Sequence, residues 1–327
     1  MLNANLTLSQ SIELMLKSKH EKDIKNILIL IGESISIGKP IDKHLSKYKN
    51  FLGESSLLFL KLGIDNGNIK ESIGSLVELL NEDKKSREKL NDTIRYPIIL
   101  ICSLLISIAM IFIYVIPNFE YIFKMLDGNL PLSTQLLLWI KDFLEHYIIY
   151  IFIFTVGVIF TLYLLYLKYR YYFDKFFINH IPIFSKLLKS YLFFKLFLSI
   201  SIIVKSKYQF QIAIEHSKNI IQNRYIQKVM ENILINIKNG NSIAKSFENS
   251  LLFDDLTIRL LYTAEQTNSY ETILNNITLY YKQRFTNSIK NFSSILEPII
   301  IFAISIIVLW LILAVMMPIW NISSILK

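Results

Sequence analysis

Long apolar runs without a single charge alternate along this chain with stretches whose apolar positions recur at helical spacing. The charge-free runs are Pro97–Ile116, Tyr147–Leu167 and Pro298–Trp320. A helix rises about 1.5 Å per residue, so each run is long enough to cross roughly 30 Å of hydrocarbon and predicts a transmembrane helix. Between the runs, Ile27, Leu28, Ile31 and Ile35 fall on one helical face, and Val229, Ile233 and Ile237 fall on a matching one. Only 9 Gly and 7 Pro stand among 327 residues, so little interrupts helix. The expected fold class is all-α: an integral membrane protein with two homologous helical-bundle domains and three transmembrane helices.

The homology is internal. Leu6–Glu13 (LTLSQSIE) aligns with Tyr208–Glu215 (YQFQIAIE), Gly38 with Gly240 and Phe51 with Phe253, all at one offset. After a slip of one residue, Pro97 aligns with Pro298 and Pro117 with Pro318. An offset held through a domain and a span argues for duplication, because helical periodicity alone would not also align glycines and prolines. Gly38 and Gly240 are read as helix ends, where a left-handed residue without Cβ is favoured. Pro97 and Pro298 are read as opening the spans, where a missing N–H costs little. Pro117 and Pro318 are read as closing or kinking them.

Charge sets the topology. Of the 35 Lys and Arg, 15 lie in residues 1–96 and 17 in residues 168–297, against 2 in residues 117–146, namely Lys124 and Lys141. By the positive-inside rule the two long parts face the cytosol and the short loop lies outside. The expected organisation is a first repeat over 1–96, spans over 97–117, 147–167 and 298–320, and a periplasmic loop over 118–146. The second repeat covers 168–297, and a periplasmic tail covers 321–327. Glu13, Lys17 and Lys19 break up the N-terminal region, which lacks the apolar core of a signal peptide, so the first domain is expected to stay on the side of synthesis. The net charge of +9 sits mainly in the second cytosolic part and suits lysines beside anionic lipid better than a nucleic-acid face.

Catalytic patterns are not evident. Gly32–Pro40 approaches a phosphate-binding loop, yet it has five residues between the glycines and Pro40 where Ser or Thr is needed. His20, His44, His146, His180 and His216 are scattered without ligand spacing. Cys102 is the single cysteine, so no disulfide forms within the chain. Inside the spans no carboxylate, Lys, Arg or His marks an ion path. A transporter subunit or other membrane enzyme, and a regulatory membrane anchor, are the alternatives; the uncharged spans speak against the first. No cofactor, metal or catalytic residue is expected.

The two turns that recur in the repeats carry a family likeness. The first copy reads Gly63-Ile64-Asp65-Asn66-Gly67-Asn68-Ile69, then Tyr96-Pro97 and Pro117. The second reads Ala264-Glu265-Gln266-Thr267-Asn268-Ser269-Tyr270, then Glu297-Pro298 and Pro318. This resembles the F-family platform proteins of type II secretion systems and type IV pili, also found in competence pseudopili. Their repeats show a Gly-Glu-x-Ser-Gly-x-Leu turn, an amphipathic helix, and a Tyr-Pro or Glu-Pro entering a span that ends in Pro. Ile181-Pro182-Ile183-Phe184 is similar to the family's segment opening the second domain, with Ser185 where glycine is usual, and Leu130-Pro131 fits the outer loop. The first copy keeps both glycines and lacks the glutamate; the second keeps Glu265 and lacks the glycines. Against the family, the N-terminus begins near the second half of the first helix.

The resemblance implies a non-enzymatic scaffold in the bacterial inner membrane, N-terminus in the cytosol. It would pass motion from a hexameric assembly ATPase to pilins or pseudopilins, beside other inner-membrane assembly proteins and as a homo-oligomer. Under it, Gly63, Asp65, Gly67, Glu265, Tyr96, Pro97, Glu297 and Pro298 are the candidate contact or motif residues, with Gly38, Gly240, Pro117 and Pro318 structural.

Overall fold

The first helix starts where a side chain can cap it. Thr7 Oγ1 accepts from the Gln10 amide at 3.2 Å, and Gln10 Oε1 accepts from the Thr7 amide at 3.0 Å. This reciprocal box satisfies two N–H groups that a helix start would leave bare. Helix α1 (Leu8–Leu16) then packs on α2 (Lys22–Ile37), with Ile12, Ile27, Leu28 and Ile31 forming their shared core. Helix α3 (Lys49–Asp65) follows, and Gly53 within it turns the chain at φ 77°. Helix α4 (Ile69–Met110) completes the first repeat and continues into the apolar run. The computed structural model describes residue 4 and residues 6–18, 22–37, 46–65, 67–119 and 131–325.

The remaining helices are α5 (Leu132–Lys168), α6 (Arg170–Asn179), α7 (Pro182–Lys205), α8 (Phe210–Ile220), α9 (Arg224–Lys238), α10 (Ile243–Glu248), α11 (Asp255–Thr267) and α12 (Tyr270–Ile325). Their order restates the duplication: α8, α9, α11 and the start of α12 stand where α1, α2, α3 and α4 stand in the first copy. Gly67 at φ 66° and Asn268 at φ 49° are the left-handed residues of the matching corners. Gly240, at φ 87°, lies just past the Asn239 cap of α9. Gly38, Pro40 and Leu130 fall outside the described residues.

Two compact units result. Unit 1 joins Met1–Arg87 with Asp174–Thr286, so it contains both repeats. Its centre is α7, begun by a proline in the first turn, where a missing N–H is harmless. Leu196, Phe197, Ile200 and Ile203 of α7 are fully buried. Phe197 meets Phe247, Phe253 and Tyr281 at ring-centroid distances of 6.2, 5.7 and 5.4 Å. Residues Phe184–Lys205 are apolar enough to span a bilayer, with mean hydropathy 1.9, yet 78% of that window is buried in protein. This helix is core, not span.

Unit 2 joins Glu88–Phe173 with Asn287–Lys327. Its apolar helices show the opposite burial. The window in Ile69–Phe119 has mean hydropathy 3.0 and none of it buried; that in Tyr270–Pro318 has 3.2 and 17% buried. Large side chains of α5, such as Ile149, Tyr150 and Phe154, are likewise exposed at 68–73%. An apolar surface bare to this degree is what a membrane-spanning helix presents to lipid. Helix α5 starts at Leu132, so much of the stretch expected as a loop over 118–146 is helical; absence of charge marks where hydrocarbon can lie, not where a helix begins.

The prolines correct the sequence expectation. Pro97 and Pro298 do not open helices, nor does Pro318 close one; each lies inside α4 or α12. A proline within a helix removes one hydrogen bond and crowds the carbonyl four residues back. Before Pro117 the chain widens into a π-turn, Ile111–Val115, which moves that carbonyl aside. At Pro318 the carbonyl four residues back is Ala314, and Thr134 Oγ1 of α5 donates to it at 2.6 Å. Around this point Ile116, Leu137, Leu311 and Ala314 form a buried cluster inside unit 2.

Candidate functional site

Within unit 1 the face of α4 carrying Ser75, Glu78, Glu82 and Asp83 is joined to the second repeat by polar contacts. Lys195 of α7 reaches Asp83 at 2.9 Å, and Arg87 donates to the same carboxylate at 3.0 Å. Tyr191 donates its hydroxyl to Asp83 at 3.3 Å. Glu82 pairs with Lys282 of α12 at 2.7 Å, Glu78 with Lys205 at 3.7 Å, and the Ser75 and Ser206 hydroxyls meet at 3.2 Å. Tyr208 adds a hydrogen bond to the Leu62 carbonyl at 2.6 Å. The Asp83 and Lys195 side chains are only 18% and 12% exposed, so this pair is screened less than an ordinary surface bridge.

Electrostatics follow from that setting. Burial pushes the Asp83 carboxyl up, but Lys195 and Arg87 outweigh it and hold the group below the usual range. Burial, aided by the Asp83 charge, pushes Tyr191 up to about 12. A second cluster lies within the second repeat. Asp254 caps α11 by accepting from the Thr257 amide at 3.2 Å, and it also takes Tyr280 at 2.7 Å, Tyr281 at 3.2 Å and the Arg284 guanidinium. Neither cluster stood out in the sequence. Asp83 sits in an ordinary charged run and meets Tyr191 and Lys195 across more than a hundred residues. Asp254 meets Tyr280, Tyr281 and Arg284 only once α11 and α12 are packed together.

Gly63 and Gly67, two of the corner residues picked out by the motif, lie at the close approach and the turn between α3 and α4. A Cβ at Gly63 would lie 2.9 Å from Ser72 Cβ and 3.0 Å from Ile69 Cα, so only glycine lets α3 and α4 approach this closely. Ser72 Oγ then donates to the Phe59 carbonyl at 2.7 Å. Gly67 supplies the left-handed turn. Asp65 lies at the end of α3, its side chain outside the description.

In the second copy Glu265 turns inward. Its carboxylate accepts from Ser242 Oγ at 2.6 Å, Ile243 N at 2.7 Å and Ala244 N at 3.4 Å, which caps α10. Tyr96, Pro97, Glu297 and Pro298 belong to unit 2, with Tyr96 52% exposed and Glu297 and Pro298 also exposed. The corners therefore fall in unit 1 and these pairs in unit 2. Among the described residues no group of three His, Cys, Asp or Glu could hold a metal.

Comparison with known proteins gives this arrangement a context. Residues 1–117 and 196–318 match the family model described as type II secretion system (T2SS), protein F. The two matched segments are the two repeats, each with the apolar helix that follows it. The chain is 20% identical to the type IV pilus assembly protein PilC of Pseudomonas aeruginosa over 99% of this chain and 87% of that protein. It is 20% identical to type II secretion system protein F of Vibrio cholerae over 100% and 81%. It is 21% identical to the protein transport protein HofC homolog of Escherichia coli over 99% and 81%.

Proposed function

Because the chain belongs to the type II secretion system protein F family, we propose that it is the inner-membrane platform of a secretion or type IV pilus-like machine. Its two helical repeats face the cytosol, engage a hexameric assembly ATPase, and pass the displacement on to pilins or pseudopilins. The observation that carries this reading is that both repeats lie in one compact unit, tied by Asp83–Lys195 and Glu82–Lys282. Two copies sharing one body must share one side of a bilayer, and the 15 and 17 basic residues of these regions favour the cytosolic side. An even number of crossings, α4 outward and α5 back, is then needed between them.

Motion at the bundle has a direct route onward. Helices α4 and α12 leave unit 1 and run into the apolar stretches as single helices. A push on the bundle is thereby delivered to membrane helices without an intervening loop. The energy comes from the partner, since the chain has no phosphate-cradling loop.

The test uses the full-length chain in lipid nanodiscs with the assembly ATPase encoded by the same organism. Co-elution of the two, no ATP hydrolysis by the chain alone, and unassembled pilins in the membrane of a deletion strain are expected. Hydrolysis by the chain alone, or normal fibre assembly without it, would overturn the proposal.

A further inference from the structure

We infer that α6 is an interfacial helix: it lies in the headgroup layer of the bilayer that α5 crosses, with Tyr172 and Phe176 turned toward the acyl chains. The inference shares with the proposed function only the crossing by α5. The chain turns where its apolar run stops. Ile153–Lys168 and Arg170–Asn179 meet at 97°, and the break at Tyr169 falls within unit 2. With α5 across the bilayer, a helix nearly square to it runs along the surface. Its content excludes a continued span. Arg170, Asp174 and Lys175 fall within its ten residues, and each such charge costs about 2.5–3.5 kcal/mol at the centre of a membrane helix.

The two sides of α6 differ. Asp174 and Ile178, one turn apart, are buried. Asp174 accepts from the Arg224 amide at 2.7 Å, and the Ile178 carbonyl accepts from Ser185 Oγ. Both bonds lie within unit 1 and fix the rotation of the helix. At 3.6 residues per turn, Tyr172 and Phe176 then fall on the opposite side. They are 69% and 50% exposed, and Tyr169 at the bend is exposed as well. Tyrosine, with an apolar ring and a polar tip, favours the boundary between membrane and water.

Basic side chains stand at the same level as the rings. Lys168 Nζ lies 5.4 Å from the centre of the Tyr169 ring, and the Arg170 guanidinium 6.0 Å from that of Tyr166. Long basic side chains lay their stems along apolar surface and hold their charge in the headgroup layer, where anionic lipid complements it. A face with exposed rings also suits a helix of another protein by its apolarity alone. Two observations favour lipid. The rings follow directly on α5, whose Tyr163 and Leu167 are themselves exposed. Lys168 and Lys175 flank them, and lysine is depleted where proteins meet.

The experiment places the full chain, with Cys102→Ser, in vesicles of phosphatidylethanolamine and phosphatidylglycerol. One added cysteine at a time carries a fluorophore, and lipids bearing a nitroxide high or low on the acyl chain are the quenchers. Labels at Tyr172→Cys and Phe176→Cys should be quenched about twofold more by the shallow nitroxide than by the deep one, which is the depth of roughly 5–10 Å that an interfacial helix reaches. A label at Ile159→Cys, exposed within α5, should favour the deep nitroxide and so reads the crossing separately. One at Asn275→Cys, exposed in the second repeat, should respond to neither. Unfolding midpoints of the labelled chains should match the parent, since both α6 positions are exposed. Deep quenching at residues 172 and 176 would make α6 part of the span and overturn the inference. So would quenching no stronger than at residue 275. A disulfide between copies through Tyr172→Cys, with the label shielded from lipid, would make the occupant a second copy and overturn it too.

Discussion

Thr134 donates its hydroxyl to the main-chain oxygen of Ala314 at 2.6 Å, and both residues are fully buried. Pro318 has no N–H to give that oxygen, so a side chain on α5 performs the task of a missing helix bond. In a membrane helix this substitution is what makes proline tolerable.

A double-mutant cycle follows from this relationship. Thr134→Val should destabilise the protein by about 1 kcal/mol, the usual scale of an interhelical hydrogen bond in lipid. In a Pro318→Ala background the same change should cost much less, because the main-chain amide restored at that position can donate to Ala314. Unfolding in a denaturing detergent series would measure the coupling; equal costs in both backgrounds would refute it.

The Asp83 cluster predicts two pH limbs. Asp83 is held below the ordinary value of 3.8, so its contribution is complete above about pH 4 and lost as pH falls through its lower folded value. Tyr191 is raised from 10.0 to about 12, so its contribution is complete below pH 10 and lost as pH rises toward 12. Circular dichroism melts at pH 7, 10 and 12 should show a falling midpoint, and Tyr191→Phe should flatten part of that fall. An unchanged alkaline limb in the variant would place the titration elsewhere.

Glu265→Ala should lower stability by about 1–2 kcal/mol, the scale of a lost helix cap, since three donors lose their acceptor. Glu265→Gln should recover part of the loss by keeping one carbonyl oxygen. A thermal melt reads both. A stable Glu265→Ala chain that only loses its partner would make the carboxylate a contact residue after all.

Gly63→Ala should cost about 1–3 kcal/mol by overpacking, because the new methyl falls within 3 Å of both α4 neighbours. Gly74→Ala, with open space at its Cβ, should be neutral or slightly stabilising through helix propensity. Paired melts of the two variants separate a packing glycine from an incidental one.

Much of this fold is readable from residue order alone, and the exceptions have physical causes. Gly240 announces a helix end because only its φ of 87° is costly for other residues. The charge-free runs announce the membrane helices because lipid admits no unpaired charge. Pro97, Pro298 and Pro318 mislead, because whether a proline ends a helix depends on what else can meet its orphaned carbonyl, and Thr134 lies 180 residues from Ala314. The capping role of Glu265 leaves no trace in the sequence for a related reason: it is visible only when the start of α10 is placed beside the turn. Asp83, Lys195 and Tyr191 leave no local trace, since their meeting is made only by the two repeats sharing one body.

That shared body is best tested by labelling single cysteines, in a Cys102→Ser background, with a membrane-impermeant maleimide on spheroplasts. Cysteines replacing Lys25 in the first repeat and Asn275 in the second, both exposed, should react only after the membrane is opened. One replacing Leu132, 83% exposed at the start of α5, should react at once. If Lys25→Cys and Asn275→Cys label on opposite sides, or both label in intact spheroplasts, the two repeats do not form a cytosolic platform.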